Sequence, residues 1–217
     1  MSFVGWRSCW VKVYKLNKIK REEVKEIAKE IKNGKIAVFP TDTIYGIGTN
    51  AFRWQSVRNI CKIKRRNEKK PMPILVDSIE KIKKIVKRIP SDAEKLIKKY
   101  WPGPLTLVFE TNELGTMLMG GKKSVAARIP NNNVLLSIIK EMGCPLIGTS
   151  LGISGIKEYS NISNLDKKLQ KEVDIIIDGG KTKIGKSSTV LDLSRYPYTI
   201  VRIGAISKKE IEKFMKI

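Results

Sequence analysis

The chain has 217 residues, of which 41% are hydrophobic, enough for one large domain or two small ones with a real core. It carries 43 Lys and Arg against 21 Asp and Glu, a formal net charge of +22, and it has no histidine. The lack of histidine excludes Ser-His-Asp hydrolysis, Cys-His chemistry and histidine metal sites. Any chemistry must therefore use carboxylates, lysines, arginines, hydroxyls, backbone amides or a metal carried by a substrate.

The basic balance favours polyanionic partners, either nucleic acid or nucleotide phosphates. A lysine-rich solvated surface explains the same charge without a partner. No apolar run approaches the roughly 20 residues of a membrane span, and residues 1–10 lack the order of a signal peptide. We therefore predict a cytoplasmic protein with no membrane partner. The distant cysteines Cys9, Cys61 and Cys144 argue against a disulfide framework or zinc knuckle, and we predict no metal bound by the protein itself.

Strand and helix patterns interleave along the chain without a regular βαβ period or an internal repeat. Apolar runs predict strands at residues 11–16, 36–39, 74–76, 105–109, 124–129, 145–149, 173–178, 189–193 and 199–203. Helical spacing predicts helices at residues 21–33, 54–61, 79–89, after Ser91, at 134–142 and after Ser207, with a loop over 111–123. Capping boxes are predicted at Asp77 with Glu80 and at Ser207 with Glu210. The predicted fold is a single α/β (α+β) domain over residues 11–217, with a twisted mixed sheet flanked by helices, after a loose tail of residues 1–10.

The stretch KIAVFPTDTIYGIGTNA at residues 35–51 organises these elements. A buried strand ends at Pro40, which has no N–H to give to a sheet ladder. Small, hydroxylated and glycine residues follow, and they predict a sharp loop that exposes backbone N–H groups and hydroxyls. Ligands of open α/β sheets bind at such strand ends. A tight loop with a structural role fits the same residues.

Cations cluster between the second predicted helix and the strand at 74–76, with Pro71 at the exit of the cluster. Lysine supplies a point charge and arginine a bidentate fork, which together suit phosphate oxygens. The cluster therefore predicts a phosphate site, although a solvated charge run is the usual explanation of such a sequence. Its members are Lys62, Lys64, Arg65, Arg66, Lys69 and Lys70.

Two arginines interrupt apolar strands, and hydroxyls follow two other strand patterns. Arg128 in SVAARI needs an anionic partner, either a protein carboxylate or a substrate carboxylate, because a buried unpaired charge is very costly. Arg202 in TIVRI repeats the pattern, and structural salt bridges remain open for both. The hydroxyls at Thr149–Ser150 and at 187–189 can donate to phosphate or carboxylate oxygens.

Seven blocks in this order, PTDTIYGIGTNA, KRRNEKKP, WPGPLTLV, SVAARIP, PLIGTSLGISG, STVLDLS and IVRIGAI, resemble the YrdC-like threonylcarbamoyl-adenylate synthase family. The resemblance runs from about residue 16 to the C-terminus. It implies a YrdC-like fold with a deep basic central cavity. It also implies synthesis of threonylcarbamoyl-AMP and pyrophosphate from L-threonine, bicarbonate or CO2, and ATP, with Mg2+ carried by ATP. A separate transferase complex would then modify tRNA.

The resemblance also implies site residues. L-threonine would contact Thr41, Arg128, Gly148 and Ser150. ATP would contact Lys64, Arg66, Lys70, Ser124, Ser150 and Arg202, with Lys64 and Arg66 as the catalytic pair. One position departs from the family pattern Ser-Ala-Asn-x-Ser-Gly, since Gly152 stands in place of the asparagine.

Two other interpretations fit parts of the sequence. A non-catalytic module of the same fold that binds double-stranded RNA or tRNA agrees with the net charge and with the missing asparagine. Its weakness is that aromatic residues are not interleaved with the basic cluster to form a stacking platform. A carbamoyl-transfer module related to hydrogenase maturation normally belongs to long chains with zinc-finger cysteines, which this sequence lacks.

Overall fold

The computed structural model describes residues 11–68, 70–152 and 158–217; the predicted tail at 1–10 lies outside these ranges. The strands are β1 (Lys12–Lys15), β2 (Ala37–Pro40), β3 (Tyr45–Asn50), β4 (Ile74–Leu75), β5 (Leu105–Glu110), β6 (Ser124–Arg128), β7 (Leu146–Ser150), β8 (Ile175–Asp178), β9 (Thr189–Asp192) and β10 (Thr199–Arg202). The helices are α1 (Arg21–Lys32), α2 (Trp54–Ile63), α3 (Ile79–Lys83), α4 (Ser91–Tyr100), α5 (Glu113–Leu118), α6 (Asn133–Met142), α7 (Lys167–Lys171) and α8 (Lys208–Glu212).

The strands of the described ranges form one mixed sheet in the order β1-β8-β2-β3-β7-β4-β6-β5-β9-β10. Parallel pairs, such as β2 with β8 and β5 with β9, alternate with antiparallel pairs such as β3 with β7. The predicted single α/β domain with a mixed sheet and flanking helices is therefore confirmed. None of the helices in the described ranges has the length and apolar character needed to cross a lipid bilayer.

Each face of the sheet packs against its own group of helices. On one face, the apolar sides of α1 and α6 pack on β2, β7 and β8, with Ile27, Ile139 and Phe39 fully or almost fully buried. On the other face, α2 and α4 cover the strands, with Ile60, Leu96 and Ile47 in the core. Because side chains alternate along a strand, neighbouring residues of one strand belong to different cores. On the sheet face that carries α1 and α6, these helices leave part of the sheet uncovered. The main cavity lies on that uncovered part.

The second half of the organising stretch is strand rather than loop. The predicted loop is confined to residues 41–44, and β3 pairs with β2 on one side and with β7 on the other. The glycines that suggested a loop serve close packing, because a Cβ on Gly48 would lie 2.3 Å from the carbonyl oxygen of Ile147 and 3.0 Å from the Phe39 ring. The prediction was therefore wrong for residues 45–50, where the strand needs glycine to let the Phe39 ring lie across it.

Other local predictions also needed correction. Residues 111–123, predicted as a loop, contain α5, whose Gly115 lowers helix propensity but is required because a Cβ there would lie 1.9 Å from the Ile85 carbonyl oxygen. The helix predicted at 79–89 is the short α3, and its N-cap Ser78 makes no side-chain cap hydrogen bond. By contrast, the capping box of Ser207 with Glu210 is confirmed.

Candidate functional site

A cavity of about 950 Å3 opens on the uncovered part of the sheet face that carries α1 and α6. Strand alternation builds it, since every second residue of β5, β6 and β9 points to this face. Of the site residues that the family resemblance implies, all except Lys64 line it: Thr41, Arg66, Lys70, Ser124, Arg128, Gly148, Ser150 and Arg202. The fold thus brings together residues from motifs that are far apart in the chain.

The charged part of the lining has an excess of cations. The cations are Arg66, Lys70, Arg128 and Arg202, and the carboxylates are Glu158 and Asp192. Apolar side chains, among them Phe39 and Leu75, complete the wall. A largely apolar wall with a few cations suits a ligand that combines an aromatic base with anionic groups.

Arg128 is held by three hydrogen bonds at the end of β6. Its Nη2 donates to Asp42 Oδ1 at 2.6 Å, its Nη1 to Thr43 Oγ1 at 2.8 Å and its Nε to the Gly103 carbonyl at 2.8 Å. The side chains of Arg128 and Asp42 are 7% and 3% exposed. Burial lowers the pKa of Arg128 from its usual value, and the charge of Asp42 opposes that shift. Of the two anionic partners left open by the sequence, the protein carboxylate is therefore present in the structure.

Asp42 is a residue of this site that sequence reasoning missed. Its Oδ1 also accepts a hydrogen bond from the Asn131 backbone N–H at 3.0 Å, which ties the loop after β2 to the loop after β6. Asp42 lies within the PTDT block, but nothing local to that block indicates that its carboxylate pairs with Arg128, 86 residues away.

Lys64 takes a different place from the one predicted. It is 2% exposed. Its ammonium donates to the carbonyl oxygen of Ser150, the last residue of β7, and to that of Gly152 in the turn that follows. Burial first, and the nearby charge of Arg66 second, lower the pKa of Lys64 to about 8. Lys64 borders a second cavity of about 460 Å3 instead of the main one. In this structure Lys64 shapes the edge of the main cavity through Ser150.

Gly152, where the family pattern has asparagine, adopts a φ of +104°. This is a backbone conformation that residues with a Cβ rarely adopt. Since the Gly152 carbonyl also accepts from Lys64, the turn is built around the glycine. The end of the PLIGTSLGISG block, from residue 153 on, lies outside the described residues, as do residues 156 and 157.

Arg66 and Lys70 reach the cavity from the loop that follows α2. The Nη2 of Arg66 donates to the Pro71 carbonyl at 2.8 Å. This bond holds the loop at Pro71, the residue that ends the cationic cluster. Arg65 has a φ of 48° and borders the smaller cavity, so the chain turns sharply between neighbouring cations. Lys69 lies outside the described residues.

A group of three polar residues lines the cavity next to Arg128. The hydroxyls of Thr106 and Ser188 lie 2.9 Å apart, and Arg202 Nη2 donates to the Ser188 carbonyl at 2.9 Å and to Ser188 Oγ at 3.3 Å. Burial lowers the pKa of Arg202, and the charge of Glu158 opposes this shift. The sequence singled out Ser188 and Arg202 but missed Thr106 and Glu158, because a threonine in the apolar run LTLV carries no signal of its own.

Comparison with known proteins shows the family to which this chain belongs. Residues 29–204 match the model of the Sua5–YciO–YrdC domain, which is described as "Telomere recombination". The chain belongs to the Sua5–YciO–YrdC family. A Pyrococcus abyssi member named threonylcarbamoyl-AMP synthase is 36% identical over 90% of this chain and 58% of its own length. A Methanocaldococcus jannaschii member is 35% identical over 97% of this chain and 100% of its own.

The structure of P. abyssi Sua5 complexed with L-threonine superposes with a TM-score of 0.85. The two sequences are 34% identical, and the match covers 95% of this chain and 61% of that chain. This Sua5–YciO–YrdC domain thus spans about three fifths of the P. abyssi relative.

Proposed function

We propose that this protein is a threonylcarbamoyl-AMP synthase that forms threonylcarbamoyl-AMP and pyrophosphate from L-threonine, bicarbonate or CO2, and ATP. The observation that carries the proposal is the convergence of the predicted threonine and ATP residues on one cavity. Its volume of about 950 Å3 is at the upper end for small-molecule sites, so it has room for a nucleotide and an amino acid together. The activity named for the P. abyssi relative supports the same assignment.

The polar residues of the cavity fall into two groups by the ligand that we assign to them. Arg66, Lys70 and Arg202 supply cations for the triphosphate, with Ser124 and Ser150 as hydrogen-bond partners of the nucleotide. Thr41, Arg128 and Gly148 form the group that takes L-threonine. Arg128 has N–H groups beyond the three that Asp42, Thr43 and Gly103 accept, and these bind the threonine carboxylate.

The reaction needs alignment more than acid–base chemistry. The neutral amine nitrogen of L-threonine bonds to the carbon of CO2 and releases one proton to solvent, giving a carbamate. A carbamate oxygen bonds to the α-phosphorus of ATP, and the bond from that phosphorus to the bridging oxygen breaks, so its electron pair leaves with pyrophosphate. The protein holds both reactants and neutralises phosphate charge, which accounts for most of the rate enhancement in such transfers. Arg66 acts on the phosphates directly, and Lys64 acts by holding Ser150.

Magnesium enters this scheme as part of the ATP substrate. Within the described residues there is no group of three or more His, Cys, Asp or Glu side chains that could hold a metal ion. Magnesium bound to ATP takes phosphate oxygens and water molecules as ligands. We further propose that the product passes to a transferase that modifies tRNA and that both proteins act in the cytoplasm. A second candidate function, binding of tRNA or double-stranded RNA, is favoured by the net charge of +22.

Pyrophosphate release from ATP tests the proposal, measured with and without L-threonine in bicarbonate buffer with magnesium. We expect release that depends on L-threonine, and Arg66→Ala should lower turnover by about ten- to a hundredfold, the cost of losing a hydrogen bond to a charged group. Arg58→Ala is the matched control, because Arg58 is an exposed cation of the neighbouring helix α2. Pyrophosphate release that does not depend on L-threonine, or RNA binding without pyrophosphate release, contradicts the proposal.

A further inference from the structure

The Thr106 hydroxyl is a feature of the cavity to which the proposed function gives no role. Thr106 lines the cavity on β5 and is 3% exposed. A threonine at a buried strand position is costly unless its hydroxyl forms a hydrogen bond. Among the described residues, its hydrogen-bond partner is Ser188 Oγ at 2.9 Å.

The strand register places this pair beside Arg128. In the antiparallel ladder of β5 and β6, Leu107 pairs with Ala127, so the next residues on the cavity face are Thr106 and Arg128. On its other side, Thr106 pairs with Val190 of β9, two residues after Ser188. Thr106 and Ser188 therefore flank the end of the cavity that carries Arg128.

The bonds at Ser188 restrict the direction of its proton. A serine hydroxyl has one O–H donor and two acceptor lone pairs. Arg202 Nη2 donates to Ser188 Oγ at 3.3 Å and occupies one lone pair. If Thr106 donates to the other lone pair, both acceptor sites are filled, and the Ser188 O–H is left to donate to a third group.

We propose that Thr106 is a positioning residue that donates to Ser188 Oγ, so that the Ser188 hydroxyl donates to a carboxylate oxygen of the amino-acid substrate opposite Arg128. This inference rests on the proposed function, because it assumes that L-threonine binds at the Arg128 end. It gives Thr106 a larger effect on amino-acid affinity than on ATP affinity, because Arg202 keeps its hydrogen bonds to the Ser188 carbonyl when the Thr106 hydroxyl is lost.

The test uses the isosteric change Thr106→Val, with Thr106→Ser as the variant that keeps the hydroxyl. Thr111→Val is the matched control, since Thr111 is also a 3% exposed threonine with a hydroxyl partner, but it lies just beyond β5 and away from the cavity lining. L-threonine binding is measured by calorimetry, and the KM values for L-threonine and ATP are measured by pyrophosphate release. We expect Thr106→Val to weaken L-threonine binding and raise its KM about tenfold, as for one lost hydrogen bond to a charged group, with a smaller change in the KM for ATP. Thr106→Ser and Thr111→Val should stay within about twofold of wild type.

A double-mutant cycle tests whether Thr106 acts through Ser188. In a Ser188→Ala background, Thr106→Val should produce no further loss of L-threonine affinity. Additive losses overturn the inference, as does a Thr106→Val variant with unchanged L-threonine KM or with equal rises in both KM values. Should Thr106→Val fail to fold, Thr106→Cys replaces it with the same expectations, because a thiol is a weak donor of similar size. Wild-type protein that binds no L-threonine overturns the proposed function itself, which separates the two failures.

Discussion

At the scale of single residues, the partners of Arg128 and Lys64 decide what each cation contributes. Arg128 is neutralised by Asp42 before any ligand arrives, so its burial needs no substrate. Lys64 donates hydrogen bonds to two backbone carbonyls. The sequence identified both cations as special because of their neighbours, but partners 86 residues away along the chain have no local signature.

Asp42→Asn should destabilise the protein by about 3 kcal/mol, because the change leaves a buried guanidinium without its counter-charge. The free energy of unfolding in urea measures this cost. Glu110→Gln serves as the control, since the ion pair between Lys87 and Glu110 is exposed and should contribute little to stability. Equal losses in the two variants would show that the Asp42 pair is not a buried charge pair in solution.

The lowered pKa of Lys64 predicts a pH dependence of stability. Between pH 8 and the usual lysine value of 10.5, the unfolded chain binds more protons at this position than the folded chain. Stability therefore rises with pH across that window, and the contribution of Lys64 is unfavourable below pH 8. We expect wild type to gain on the order of 2 kcal/mol over Lys64→Met between pH 8 and 10. An unfolding free-energy difference that stays constant over this range would refute the lowered pKa.

At the scale of elements, the sequence predicted most strands and the amphipathic helices, because each has a local pattern. The failures have a common physical cause. Gly48 and Gly115 were taken as signs of loop, but each lies where another backbone approaches too closely for a side chain. Such contacts depend on pairing between distant segments, such as β3 with β7, so no local pattern reveals them.

Gly48→Ala tests the packing of β3 between its neighbours. The added methyl group would overlap the Ile147 carbonyl oxygen, and we expect a loss of about 2–3 kcal/mol in the free energy of unfolding. Gly121→Ala is the comparison: it meets nothing within 4 Å but has a φ of +83°, so it should cost about 1 kcal/mol. If Gly48→Ala is the milder of the two, the close approach of β3 and β7 is wrong.

At the scale of the whole molecule, most of the positive charge lies outside the main cavity. The cavity carries four of the 43 cations, so most of the net charge of +22 lies elsewhere. The cavity residues could be named from the sequence because seven blocks occur in one order, whereas Thr106 and Asp42 required the sheet register and the contacts. The remaining cations are spread over the rest of the protein, and any partner they bind would be recognised by their summed charge.

The net charge predicts salt-sensitive binding of a polyanion such as tRNA. Affinity measured by fluorescence anisotropy should fall by at least about tenfold between 50 and 200 mM salt, because bound phosphates release counterions. L-threonine affinity, measured in the same buffers, should change by less than about twofold, since the amino acid is a zwitterion held inside the cavity. RNA affinity that does not respond to salt would argue against a surface-charge origin.

The central claim is that L-threonine, inorganic carbon and ATP react together in the main cavity. Mass spectrometry of the nucleotide products, formed in buffer containing 13C-bicarbonate and quenched rapidly, tests it most directly. We predict a threonylcarbamoyl-AMP whose mass is one unit higher than in unlabelled buffer and which disappears when L-threonine is omitted. AMP and pyrophosphate formed without a 13C-labelled nucleotide would contradict the claim.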